Sequence, residues 1–146
     1  MKTQPAELED TLFGRLKWDE GSQWWEGSVP AGPGEFFTLS IQPDSGADRK
    51  ISEMARRIYE RLCPDFEGIR QHTLREFLAQ TRDQPFYHAL TLEQLLTHLR
   101  PDAIMLRSDG YLEIGFADRE ETVIGGGHTI VSRFWPTGVR EVVFEG

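Results

Sequence analysis

Apolar side chains recur every second residue at both ends of this chain and every third or fourth residue in the middle. That change of period restricts the fold more than any motif does. A period of two belongs to half-buried strands and a period near 3.6 to amphipathic helices. From Leu12 to Trp18, Gly14, Leu16 and Trp18 alternate with Arg15 and Lys17. Gln23 to Val29 returns as a second strand, and Glu35 to Gln42 is a third, rich in β-formers. Pro30-Ala31-Gly32-Pro33-Gly34 is expected to break the pairing between them, because proline lacks an amide and glycine resists ordering. Residues Met1 to Asp10 are polar and are expected to form a flexible lead, with residues 11–146 as one domain.

The middle of the chain follows the helical period. Ile51, Ala55, Ile58 and Leu62 make one stripe, and Phe66, Ile69, Thr73 and Phe77 make a second after Pro64, which a first helical turn tolerates. Thr91-Leu92-Glu93-Gln94 matches a capping box ahead of a third helix, with Leu90 and Leu95 as its hydrophobic staple. Leu92, Leu95, Leu96 and Leu99 form its buried stripe, and Arg100-Pro101 ends it.

A strand meander follows. Ile104 to Arg107 and Tyr111 to Phe116 flank Ser108-Asp109-Gly110, and two registers are open to them. A two-residue loop pairing Ser108 with Tyr111 would set Ile104 and Leu106 opposite in facing to Leu112, Ile114 and Phe116. A three-residue loop with a glycine bulge pairs Arg107 with Tyr111 and gathers all five on one face, which is the register expected here. His128 to Trp135 and Val139 to Phe144 complete the meander around Trp135-Pro136-Thr137-Gly138, a turn with proline at its favoured position. Three strands, three helices and four strands predict an α+β fold: an antiparallel sheet with helices packed on one face.

A chain of 146 residues with 38% hydrophobic content can bury a sufficient core without a metal or a disulfide. Its formal charge of −8 argues against nucleic acid, because phosphate contacts need clustered lysine and arginine. The single cysteine, Cys63, excludes an intramolecular disulfide and fits a reducing compartment as a small packing residue. No apolar run follows Met1-Lys2 and no stretch is long enough to span a bilayer, so a cytoplasmic protein without a secretory signal or membrane segment is expected.

Three of the four tryptophans fall between Trp18 and Trp25, around Asp19-Glu20-Gly21-Ser22. Such a stretch reads as the tip of a β-hairpin. Adjacent strand residues point to opposite faces, so Trp24 and Trp25 cannot both enter the core: one anchors the sheet and the other stays nearer solvent. Trp18, Trp24 and Trp25 with Asp19, Glu20 and Glu26 are therefore the candidate binding residues, an acidic and aromatic patch suited to a cationic partner; the blander alternative is that the tryptophans only pack. His128 and Trp135 join the candidates, His128 because Gly125-Gly126-Gly127 removes bulk beside it. The glycines lack the Lys-Ser/Thr of a phosphate loop and precede a strand, so they predict a bulge or bend. His72 and Glu76 lie four apart without a third ligand in pattern, and they read as a solvated helical face. No catalytic set, metal site or cofactor is expected.

Leu12 to Val29, the helical middle and Gly127-His128 before a β-branched strand resemble an uncharacterised bacterial family known as domain of unknown function 2262. The resemblance rests on the strand ending near Trp18-Asp19, on the Trp24-Trp25-Glu26-Gly27 block and on Gly127-His128. It implies an α+β fold and no assigned activity. Size and acidity also resemble immunity proteins of toxin systems. The function expected is non-enzymatic binding of a basic protein, in its sharpest form as an immunity-like inhibitor. The rival is a small enzyme or ligand-binding domain with a cleft near His128, and a homodimer through strand edges is a further expectation.

Overall fold

The computed structural model describes residues 4–45, 48–120, 123–124 and 127–145. Eight strands form one sheet, in the order in which the chain makes them. They are β1 (Glu7–Asp10), β2 (Gly14–Asp19), β3 (Trp24–Gly32), β4 (Glu35–Ile41), β5 (Arg100–Leu106), β6 (Leu112–Ala117), β7 (Thr129–Phe134) and β8 (Arg140–Glu145). Between β4 and β5 lie α1 (Glu53–Leu62), a 3₁₀ turn at Cys63–Asp65, α2 (Phe66–Thr81) and α3 (Leu92–His98). The fold is α+β, and three details differ from the expectation.

First, four strands precede the helices. Glu7–Asp10, expected to belong to a flexible lead, pairs with β2 from Glu7↔Lys17 to Asp10↔Gly14. Leu8 turns inward onto the core. The Asp10 carboxylate closes the turn by accepting the Leu12 and Phe13 amides at 2.8 and 3.1 Å, and it holds Arg56 of α1 at 2.7 Å. Acidity hid this strand, because its one apolar side chain is too little for a period.

Second, the sheet is mixed. Every neighbouring pair is antiparallel except β4 with β5, which run parallel from Thr38↔Ala103 to Ile41↔Leu106. A parallel pair requires a crossover, and the helices supply it. They return the chain to the end of the sheet where β4 began, so Arg100 at the start of β5 meets Glu35 at the start of β4 at 3.0 Å.

Third, Pro30 does not end the β3–β4 pairing, which continues through Pro30↔Phe36 to Gly32↔Glu35 with a register shift. β2 pairs with β3 only over Lys17–Asp19, so near Pro30 the strand has one neighbour and a missing amide on the open side costs no ladder bond.

Aligned registers bring the apolar positions into rows on one face. Trp25, Ile41, Leu106, Leu112 and Phe134 form one row, and Leu39, Ile104 and Ile114 another. All are buried, in one cluster with Ala55, Ile58, Ile69, Leu74, Phe77 and Leu95 of the helices. α2 lies against β7 and β8, where the Thr73 hydroxyl meets the Ser132 hydroxyl at 2.6 Å inside the core. The capping box forms in full at Thr91 and Gln94. The β5–β6 turn takes the three-residue register, with the Arg107 amide donating to the Tyr111 carbonyl at 2.9 Å.

Candidate binding surface

The tryptophan hairpin is a β2–β3 turn closed by Asp19, whose carboxylate accepts the Gly21 and Ser22 amides at 3.3 and 3.2 Å. A hydrogen bond from the Ser22 side chain, with those amides, holds the Asp19 carboxyl below the usual range. Trp25 is 1% exposed and belongs to the core, while Trp24 points to the opposite face and is half-buried. One tryptophan anchors the sheet and the other stays nearer solvent, as alternation requires.

Trp18 pairs with Trp25 across the ladder and meets it edge-on at 5.2 Å. Arg49 then seals the inner side of the hairpin. Its guanidinium lies 4.0 Å over the Trp18 ring, its carbonyl accepts the Trp25 indole N–H at 2.8 Å, and it reaches Glu20 at 3.7 Å. Trp25 thus packs in the core and Trp18, half-buried, lines the inner side of the hairpin beside it. Arg49 has no spacing signal in the sequence; only the tertiary path of the β4–α1 loop puts it there.

The outward face holds the other candidates. Trp24 and Glu26 follow Asp19 on it, and the register continues their row through Ser40, Met105, Glu113 and Arg133 to Glu141. Glu26 accepts the Ser40 hydroxyl at 2.8 Å. At the far side Arg133 stands among three carboxylates, with Glu145 at 2.7 Å, Glu113 at 3.4 Å and Glu141 at 3.9 Å. Beside this cluster runs a shallow groove of about 120 Å³. Ala103, Met105, Gly115 and Val131 floor it, and Asp102, Glu113 and Glu145 rim it. A Cβ at 115 would meet Val131 Cγ2 at 3.4 Å, an ordinary contact, so Gly115 leaves open space in the groove floor that a side chain there would fill. On β1 and β2, Glu7 and Glu9 lie opposite Lys17 and Arg15. Carboxylates exceed cations across the face.

His128 and Trp135 stand away from the tryptophan hairpin. They flank β7 at its two ends, and three strands separate β7 from β3. His128 stacks on Phe144 at 5.1 Å, and its enclosed Nδ1 has no hydrogen-bond partner among the described residues. Trp135 meets Tyr111 edge-on at 5.1 Å. The eight candidates therefore do not form one site. Gly125 and Gly126 lie outside the described residues; Gly127 takes a φ of +78°.

Other clefts offer less chemistry. The cavity of about 240 Å³ above Phe37, Phe66 and Phe116 carries Arg70 and Arg100. Arg100 is paired with Glu35 and Arg70 with Glu67, and Arg70 also donates to the Leu96 and Leu99 carbonyls, so neither guanidinium awaits an anion. Burial pushes the Cys63 thiol up to about 12, which leaves it protonated and unreactive. Burial, aided by Arg140, lowers the His72 pKa against the opposing charge of Glu76. Among the described residues no three histidine, cysteine or acidic side chains gather around a metal-sized space, and no helix is long and apolar enough to cross a membrane.

No protein-family model matches the chain, and neither a curated protein nor a solved structure shows significant similarity to it.

Proposed function

We propose that this chain is a non-enzymatic binding module that presents the outward face of its sheet to a basic protein. The observation that carries the proposal is the outward row from Trp24 and Glu26 to Glu141, where three carboxylates surround the single guanidinium of Arg133. Apolar Met105 and Val131 beside those acids suit the aliphatic stem and charged head of a lysine or arginine. Trp24 adds an aromatic surface at the corner of the face. The sharpest form is an immunity-like inhibitor in a bacterial cytoplasm, covering a basic toxin. Membership of the bacterial family of unknown function 2262 belongs to the same proposal, supported by the Trp24-Trp25-Glu26-Gly27 block on β3 and by Gly127-His128 before β7.

The test is capture from a bacterial lysate with the wild-type chain and with Trp24→Ala/Glu26→Lys as baits, at about 50 and 300 mM salt, which bracket strong and weak screening. A basic partner should be retained by wild type at low salt, weakened about tenfold or more at high salt, and lost by the variant. His128→Ala, at the other end of β7, should bind as wild type does. A partner indifferent to salt and to the variant sinks the proposal, and a metabolite that survives native mass spectrometry and disappears in His128→Ala favours the rival.

A further inference from the structure

The two edges of the sheet are protected unequally. β1 is short and acidic, devices that discourage pairing with another strand. β8 runs Arg140-Glu141-Val142-Val143-Phe144-Glu145, without proline, lysine or a bulge.

Its hydrogen-bonding groups that point away from β7 can be identified. The Trp135 amide donates to the Val139 carbonyl at 3.0 Å, so that pair is a bonded one. Bonded and non-bonded pairs alternate along an antiparallel ladder. Arg133↔Glu141, Val131↔Val143 and Thr129↔Glu145 are then bonded, and the amides and carbonyls of Arg140, Val142 and Phe144 point away from β7. Gln80 confirms the direction independently, because its side-chain amide reaches from α2 to the Val142 carbonyl at 3.1 Å. Exposed apolar surface adjoins the edge. Phe144 is 38% exposed and packs against Tyr87 at 5.8 Å, and the neighbouring Phe86 is 90% exposed.

We propose that β8 pairs with β8 of a second copy of this chain, antiparallel and centred on Val142, to give a continuous sheet. The strand's own charges select that register. Centred there, Val142 faces Val142 of the second copy, Arg140 faces Phe144 and Glu141 faces Val143. Sliding by one step in either direction sets Glu141 opposite Glu141 or opposite Glu145, which like charge disfavours. Only residues whose amides and carbonyls point away from β7 meet as bonded pairs, and the Arg140 cation meets an aromatic ring. The Gln80 amide occupies the place of an incoming N–H and is displaced.

Light scattering during size-exclusion of the full chain, injected at about 100 µM, well above a micromolar dissociation constant, tests the pairing. A mass twice the 16.8 kDa of the chain is expected. Val142→Pro removes an N–H that points away from β7 and that no other described residue accepts, so the folded variant, checked by its melting transition, should elute as a monomer. Glu141→Cys/Val143→Cys should cross-link quantitatively under oxidation, since facing non-bonded pairs approach within disulfide reach, and this readout stands even if Val142→Pro does not fold. A monomeric wild type overturns the proposal. So does a dimer that persists in folded Val142→Pro, or one that the two cysteines fail to cross-link.

Discussion

At the scale of single residues, charge and ring placement separate structure from surface. Burial alone would push the Asp10 carboxyl up, but the Arg56 guanidinium and the Leu12 and Phe13 amides outweigh it and hold it below its ordinary value. Its folded pKa therefore lies below its unfolded one. The stability it contributes is complete above the unfolded value of about 4 and is lost as pH falls through the folded value. Asp10→Asn is expected to cost about 1–3 kcal/mol at pH 7 in urea titrations, and the gap from wild type should narrow as pH falls below the unfolded value of about 4. The two adjacent tryptophans should differ as their burial does. Trp25→Ala removes a ring from the core and breaks the bond to the Arg49 carbonyl, at a cost of about 3–5 kcal/mol, whereas Trp24→Ala should stay within about 1 kcal/mol. Equal losses at the two positions would refute the assignment of Trp24 to the outward face.

At the scale of elements, the β5–β6 and β7–β8 hairpins use the same three-residue closure. The Arg107 and Trp135 amides each donate four residues ahead, and the Gly110 and Gly138 amides return to Arg107 and Trp135. Both glycines take positive φ, +87° and +96°, which the Ser108-Asp109-Gly110 and Pro136-Thr137-Gly138 segments already announce. The turns also pack together. A Cβ on Gly110 would stand 2.9 Å from Pro136 Cγ, so Gly110→Ala meets both an unfavourable φ and a neighbouring ring. It should destabilise by about 1–3 kcal/mol in thermal melts. β1 shows the opposite case, a strand set by Asp10, Arg56 and the Leu8 contact rather than by its own pattern.

At the scale of the whole molecule, two four-stranded meanders meet at the parallel β4–β5 pair and share one helix-covered face. Their outer face and outer edge are physically different surfaces, and salt should separate them. Screening weakens attraction between the acidic face and a basic protein, but it relieves repulsion between two copies that each carry a charge of −8. Partner capture that weakens with salt, together with self-association that does not, is the signature expected of the intact chain. The period of its apolar residues was enough to determine most strands, the helices, the register around Gly110 and the opposite facing of Trp24 and Trp25. Each of these depends on neighbours close in sequence, where alternation and turn chemistry act directly. Only the tertiary structure decided that β5 runs alongside β4, that Arg49 covers Trp18, and that His128 and Trp135 stand apart from the hairpin. Those outcomes depend on where a long crossover returns the chain, and no local preference carries that distance.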